Sequence, residues 1–245
     1  MPDPSADAAP ELVLYDLKCT KDVCFSPTVW KIRLMLNYKR IPYRTEWLEF
    51  PDIKPTLAPH VGPLPEGATK YTVPTIHHVA SDTWLMDSAK IAPWLEATYP
   101  ARPVILSAPL SDDVTALVRT AGGKAQQVSL APREPAILSP RAKAYFVNMV
   151  EGLIGHPLQQ LLAYEDGAWA GADEGLRRTS EMMLRNKDEG PWIEGAEPSM
   201  ADFFIAGAMQ CARAIHEGTW EREYKYEGLK RAYDACGLLL ERGSY

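Results

Sequence analysis

A mixed α/β half followed by an all-helical half is the fold class this sequence predicts. Three observations carry it. Residues 12–100 alternate short apolar runs with helical patterns, which implies a sheet with a parallel pair. The stretch TYPARPVILSAPL, with three prolines, marks a linker at 101–110. Beyond it the apolar spacing is helical to the end, with patterns near 111–130, 139–163, 168–188, 199–216 and 227–241. The expected organisation is a leader at 1–10, an α/β domain at 11–100, the linker, and a helical domain at 111–245.

The elements follow in order. ELVLYDL (11–17) is a β-rich apolar run and reads as a strand. PTVWKIRLMLNYKRI (27–41) places Val29, Ile32, Leu34, Met35 and Leu36 on and around one helical face. YRTEWLEF (43–50) alternates as a second strand, and the Pro/Gly-rich residues 51–71 read as a long loop. VPTIHHVA and WLMD form a hairpin with Ser81 and Asp82 near its turn, and SAKIAPWLEATY closes the unit as a helix that Pro93 should kink. This βαβ–ββα order gives a mixed sheet.

Composition excludes several classes. The chain has 245 residues, 46% hydrophobic and 24% charged, as in ordinary globular proteins. A net charge of −6 without a Lys/Arg cluster argues against nucleic-acid binding. No apolar run approaches the ~18 residues of a membrane span. MPDPSADAAPE has no signal-peptide pattern and reads as a disordered leader. Four cysteines are too few for a disulfide scaffold, so free thiols in the cytosol are expected.

Four stretches carry the candidate chemistry. In CFSPTVW, Ser26 precedes a proline at a helix start, which suits a plain N-cap with Pro at the first position. The same hydroxyl at the helix's positive end could instead hold a substrate group. In YTVPTI, Pro74 at a strand start inside the sheet points to a special backbone, a cis bond among the candidates. Such a turn would leave the Val73 N–H and C=O free for a peptide-like ligand. In MDSAKIAPWLE, Asp87 and Ser88 occupy a strand-to-helix junction, with Ser88 the expected cap. A carboxylate and a helix N-terminus there could grip an amino-acid moiety. In PSMADFFIAGAMQ, Ser199 and Asp202 form a capping box in front of a helix greasy nearly all round. Asp202 is expected to be structural.

Other chemistries lack their motifs. GxSxG, a phosphate loop and a Rossmann fingerprint are all missing from the chain. His77 and His78 are adjacent on a strand and point to opposite faces, and His60, His156 and His216 lack ligand-spaced partners, so no metal is expected.

These stretches, in this order and spacing, resemble the glutathione transferase family from about residue 11 onward. SPTVWKIR is similar to the active-site helix start of tau and omega-like classes, TVPTI to the cis-proline element, DSAKIAPWLE to the glutamyl-binding motif, and PSMADFFIAG to the C-terminal capping box. KCTKDVCFSPTVWKIRLMLNYK, the long loop to KYTVP, and KIAPWLE most resemble fungal etherase-related transferases of the FuA type.

The resemblance implies a thioredoxin-like N-terminal domain that binds glutathione and a helical domain that supplies the second substrate's pocket. It implies Ser26 as the catalytic residue, stabilising the glutathione thiolate for attack on small aromatic electrophiles by conjugation or cleavage. Val73, Pro74, Asp87 and Ser88 would bind glutathione, with Lys54 or Lys70 as the customary lysine. Asp87 replaces the usual Glu or Gln, and residues 51–70 are longer than typical. Tyr15, Phe25, Gln126 and Tyr145 are the candidates for the electrophile site. A homodimer without metal is the expected assembly. A protein that only sequesters phenolic or apolar ligands in the same pocket is the rival reading.

Overall fold

Four strands build the sheet in the order β2-β1-β3-β4, with β1 (Leu12–Leu17) parallel to β2 (Tyr43–Leu48) and antiparallel to β3 (Thr75–His78). β3 continues antiparallel into β4 (Thr83–Met86), closing the expected hairpin. The structure is a computed structural model that describes residues 10–65 and 69–242. Apart from Pro10, the expected leader lies outside the described residues.

Every residue of β1 is buried, because the strand is covered on both faces. One cover is α1 (Pro27–Lys39), whose Val29, Trp30, Ile32, Leu34, Met35 and Leu36 are all buried. A helix apolar all round needs a second partner. That partner is α8 (Met200–Ile215) of the helical half, and Gly207 permits the contact. A Cβ there would lie 2.8 Å from Trp30 Cβ and 3.2 Å from the Pro27 carbonyl oxygen.

A buried polar chain also ties α1 to its surroundings. Arg33 pairs with Asp16 at 2.7 Å, both fully buried, and donates to Tyr43 at 3.3 Å and Thr45 at 3.0 Å. Tyr43 donates to Asn37 at 2.9 Å, and Asn37 donates onward to the Leu239 carbonyl at 2.8 Å. A buried ion pair is tolerable only when its remaining groups are hydrogen-bonded in this way.

The loop expected at 51–71 holds a 3-10 turn, Phe50–Asp52, and a short helix α2 (Ile53–Leu57). Ile53 and Leu57, one turn apart, are both buried and anchor it beneath the prolines. α3 (Ser88–Thr98) runs through Pro93 to its expected end. Its cap corrects the expectation. Asp87, not Ser88, is the N-cap: at φ 86° its carboxylate turns back and accepts from the Ala89 N–H at 3.0 Å. Asp is favoured both for capping and, among non-glycine residues, for positive φ.

The helical half comprises α4 (Pro109–Ala121), α5 (Gly123–Leu130), a 3-10 turn Glu134–Ile137, α6 (Pro140–Ile154), a 3-10 stretch Leu158–Tyr164, α7 (Glu165–Met183), α8, α9 (Glu217–Tyr224), α10 (Glu227–Ala235) and α11 (Gly237–Leu240). The single helix expected at 111–130 divides at Gly122, and the one at 139–163 stops at Gly155, a left-handed cap at φ 76°. α9 escaped the sequence reading because the residues it buries, Thr219 and Glu223, are polar and leave no apolar stripe. The capping box in front of α8 is present. Asp202 accepts from the Ser199 N–H at 2.8 Å, the Ser199 hydroxyl at 2.7 Å and the Ile193 N–H at 3.0 Å. Among the described residues no helix is long and apolar enough to cross a membrane.

Candidate active site

Where β1 ends and α1 begins, the two halves leave a pair of adjoining cavities. The first, about 860 Å³, is walled by Ser26 and Thr28 of the α1 start, Ile53 and Lys54 of α2, Lys70 to Val73, and Tyr145, Met149 and Leu153 of α6. The second, about 350 Å³, lies between α1 and the helical half and is walled by Phe25, Gln126, Leu130, Glu134, Phe146, Cys211 and Ile215, among others. Leu17, Ser26 and Phe50 belong to both walls.

Arg141 of α6 holds the halves together at the rim, donating to Glu49 at 3.3 Å and to Asp52 at 2.9 Å. The Arg141 guanidinium holds the Asp52 carboxyl below its usual range.

Ser26 is the N-cap of α1, but a loose one. Its hydroxyl oxygen accepts from the Val29 N–H at 3.5 Å and lies 3.2 Å from the Thr28 hydroxyl. That distance is at the outer limit of a hydrogen bond, so little of the oxygen's capacity is committed to the helix. The residue is buried against protein yet reaches both cavities.

Opposite, the Val73–Pro74 peptide is cis. The expectation that both Val73 backbone groups stand free holds for one of them only. The carbonyl accepts from the Thr72 hydroxyl at 2.9 Å and the Thr28 hydroxyl at 3.5 Å, because threonines flank it on both sides. The Val73 N–H donates to no described residue.

Asp87 sits behind this turn, its N–H donating to the Pro74 carbonyl at 3.2 Å. Asp87, Ser88 and Pro74 themselves are outside the first cavity's wall, and Ser88 is buried in the first turn of α3. Lys54 and Lys70 both reach the cavity, and Lys70 donates to the Pro65 carbonyl at 3.3 Å.

Residues 25–98 match the model of the glutathione S-transferase N-terminal domain, and residues 114–231 that of the C-terminal domain. The glutathione S-transferase-like protein ustS of Aspergillus flavus is 32% identical over 213 residues, covering 80% of this chain and 77% of that protein. The chain belongs to the glutathione S-transferase family. It is accordingly a glutathione transferase.

Among solved structures the transferase is similar to GSTFuA2 of Phanerochaete chrysosporium, at 28% identity and a TM-score of 0.78 over 97% of this chain and 100% of that one. GSTFuA3 of the same organism shares the fold at TM-score 0.83 and 24% identity, over 97% and 99% of the two chains. The fold is therefore a four-stranded thioredoxin-like unit with an all-helical second half, in the manner of the FuA-type transferases.

The transferase places the remaining candidates unevenly. Phe25 and Gln126 line the second cavity, while Tyr145, half exposed, lines the first. Tyr15, the other candidate for the electrophile site, lines neither cavity. It shares a face of β1 with Leu17 but lies one pleat repeat, roughly 6–7 Å, short of the cavity. There Trp84 covers it at 5.5 Å between ring centroids.

Cys24 is buried outside both walls, and burial, with the Asp16 charge beside it, pushes its thiol well above the ordinary range. Among the described residues no group of three His, Cys, Asp or Glu side chains is arranged to hold a metal.

The sequence reading missed Thr28, Leu153 and Glu134. Tyr145, Met149, Gly152 and Leu153 recur at one helical face, a spacing that could have revealed the α6 wall. Glu134 follows from no local pattern. Its neighbours arrive only through packing.

Proposed function

We propose that this transferase conjugates glutathione to small apolar, aromatic electrophiles, with Ser26 stabilising the glutathione thiolate. One observation carries the reading: Ser26 stands on the wall common to the two cavities, at the positive end of α1. The first cavity suits a charged peptide, because Val73, whose N–H donates to no described residue, and the lysines Lys54 and Lys70 are on its wall. The second suits an aromatic body, with Phe25, Phe50 and Phe146 on its wall. The transferase CsGST83044 of Ceriporiopsis subvermispora, alike in fold, was solved in complex with glutathione. Four buried free cysteines accord with a reducing compartment such as the cytosol, and the family reading extends to a homodimer.

The energetics are adequate. A free thiol near pKa 8.5 is only a few per cent ionised at pH 7. A hydroxyl hydrogen bond to a charged group contributes about 1.5–3 kcal/mol, and a helix N-terminus adds about 0.3–1 kcal/mol. At ~1.4 kcal/mol per unit, that brings the bound thiol close to half-ionised at neutral pH. Ser26 then orients an anion and is not itself the nucleophile.

The test is the thiolate absorbance of enzyme-bound glutathione against pH. In Ser26→Ala the apparent thiol pKa should rise by about 1–2 units. Superimposable curves for wild type and variant would reject the role.

A further inference from the structure

The second cavity contains a carboxyl that the thiolate chemistry does not use. Its wall is apolar for the most part, yet Glu134 stands in it, on the 3-10 turn that leads toward α6. No hydrogen bond or ion pair to the Glu134 carboxyl is present among the described residues, and desolvation alone shifts its titration. The residue is half-buried, and a partly desolvated carboxyl without a partner favours its neutral form or a partner supplied by a ligand.

The charged and titratable groups around it are otherwise engaged. Arg133, its chain neighbour, turns away to the Ser129 carbonyl at 2.6 Å and to Glu165 at 2.9 Å. Arg141 of α6 is held at Glu49 and Asp52. Glu223 of α9 accepts from Gln126 of α5 at 2.7 Å, and Cys211 of α8 is a buried free thiol. Ser26, at the start of α1, stands on the same wall.

We propose that Glu134 is the general acid of this site, giving its proton to the carbonyl oxygen of an α,β-unsaturated carbonyl electrophile while the glutathione thiolate attacks. This deepens the Ser26 reading and rests on it. In the step, sulfur forms a bond to the β-carbon and the C=C π pair shifts to join the α-carbon to the carbonyl carbon. The carbonyl π pair moves to oxygen, and that oxygen takes the Glu134 proton. The enol tautomerises to the saturated ketone. Glu134 regains a proton from water, matching the one the thiol released, so thiol and enone give a thioether with no oxidant and no leaving group.

The three phenyl rings of Phe25, Phe50 and Phe146 suit a flat conjugated substrate. Burial pushes the Glu134 carboxyl up to about 8, so at neutral pH it holds the proton it has to give.

The experiment compares two electrophiles in the same preparations. Benzylideneacetone is a flat enone whose addition needs a proton on oxygen. Chlorodinitrobenzene expels chloride and needs none. In wild type the enone rate should rise with the thiolate and then fall as pH passes about 8, while the aryl chloride rate shows no such fall. In Glu134→Gln the enone kcat/KM should drop roughly 100-fold, at least tenfold more than the aryl chloride value, and the alkaline fall should vanish. A wild-type enone profile without the alkaline fall overturns the proposal whatever the variant does. So do equal losses on both electrophiles with a normal bound thiolate, and these sink the proton role alone. A bound thiol that is not ionised in wild type sinks the Ser26 reading, and this one with it.

Discussion

At the scale of single residues, the loose cap at Ser26 separates two contributions that sequence left together. A well-formed serine cap is worth about 0.5–2 kcal/mol. With its bond to the Val29 N–H at 3.5 Å, Ser26→Ala should cost no more than about 1 kcal/mol in urea unfolding. Its conjugation rate near neutral pH should nonetheless fall about tenfold, as a shift of one pKa unit requires. A stability loss without a rate loss would return Ser26 to the role of plain cap. The cysteines should be quiet by the same reasoning. All four are buried, and burial pushes the thiols of Cys24, Cys211 and Cys236 well up. Alkylation of the native protein at neutral pH, followed by mass spectrometry, should leave those three largely unmodified, since only the thiolate reacts. Rapid labelling of Cys24 would mean that the loop before α1 opens far more than its packing indicates.

At the scale of elements, the start of α8 is where local and tertiary roles merge. Asp202 accepts three hydrogen bonds, one of them from Ile193, which precedes the helix by a loop. Burial still pushes its carboxyl up to about 6. Asp202→Ala removes the cap and orphans buried donors, so a loss of about 2–4 kcal/mol is expected by chemical denaturation. Turnover per folded molecule should persist, because Asp202 is on the wall of neither cavity. A stable but inactive variant would contradict this. The capping box was legible because its whole signal is local: a serine, an aspartate three residues on, and an apolar run behind them. The cap of α3 was misread for a matching reason. Ser88 and Asp87 are both good capping residues in sequence, and only the positive φ at Asp87 decides between them.

At the scale of the whole molecule, two desolvated carboxyls, Glu223 buried and Glu134 half-buried, make stability depend on pH. Glu134 and Glu223 are both pushed up to about 8 by burial, and one Glu223 oxygen has no partner. The folded chain therefore keeps two protons that the unfolded chain gives up near the ordinary 4.5. Their contribution is fully present below pH 4.5 and is lost as pH rises through 8, with no further change above it. The thermal midpoint should thus fall between pH 6 and pH 9, by an amount on the order of a few kcal/mol in stability. Glu223→Gln keeps the shape, removes one ionisation and should flatten part of the decline. An unchanged slope in that variant would show that another group sets it. Neither glutamate could be singled out beforehand. Glu223 lies in an ordinary polar stretch and Glu134 between Pro132 and Pro135, and the surroundings of both are set by elements distant in sequence.

Sequence by itself determined the order of elements, the division into an α/β half and a helical half, the capped starts of α1 and α8, and the Val-Pro turn. Each is encoded in residues within a few positions of one another: alternation, helical spacing, a capping residue, a proline. Tertiary structure decided which of those residues share a cavity. It brought Ser26 to a wall common to two cavities, set Tyr15 one pleat short of it beneath Trp84, kept Asp87 behind Pro74, and placed Glu134 in a wall that also draws on six other elements. Those placements depend on the packing of α1 against α8 at Gly207, a contact between residues about 180 positions apart, and no local pattern carries it.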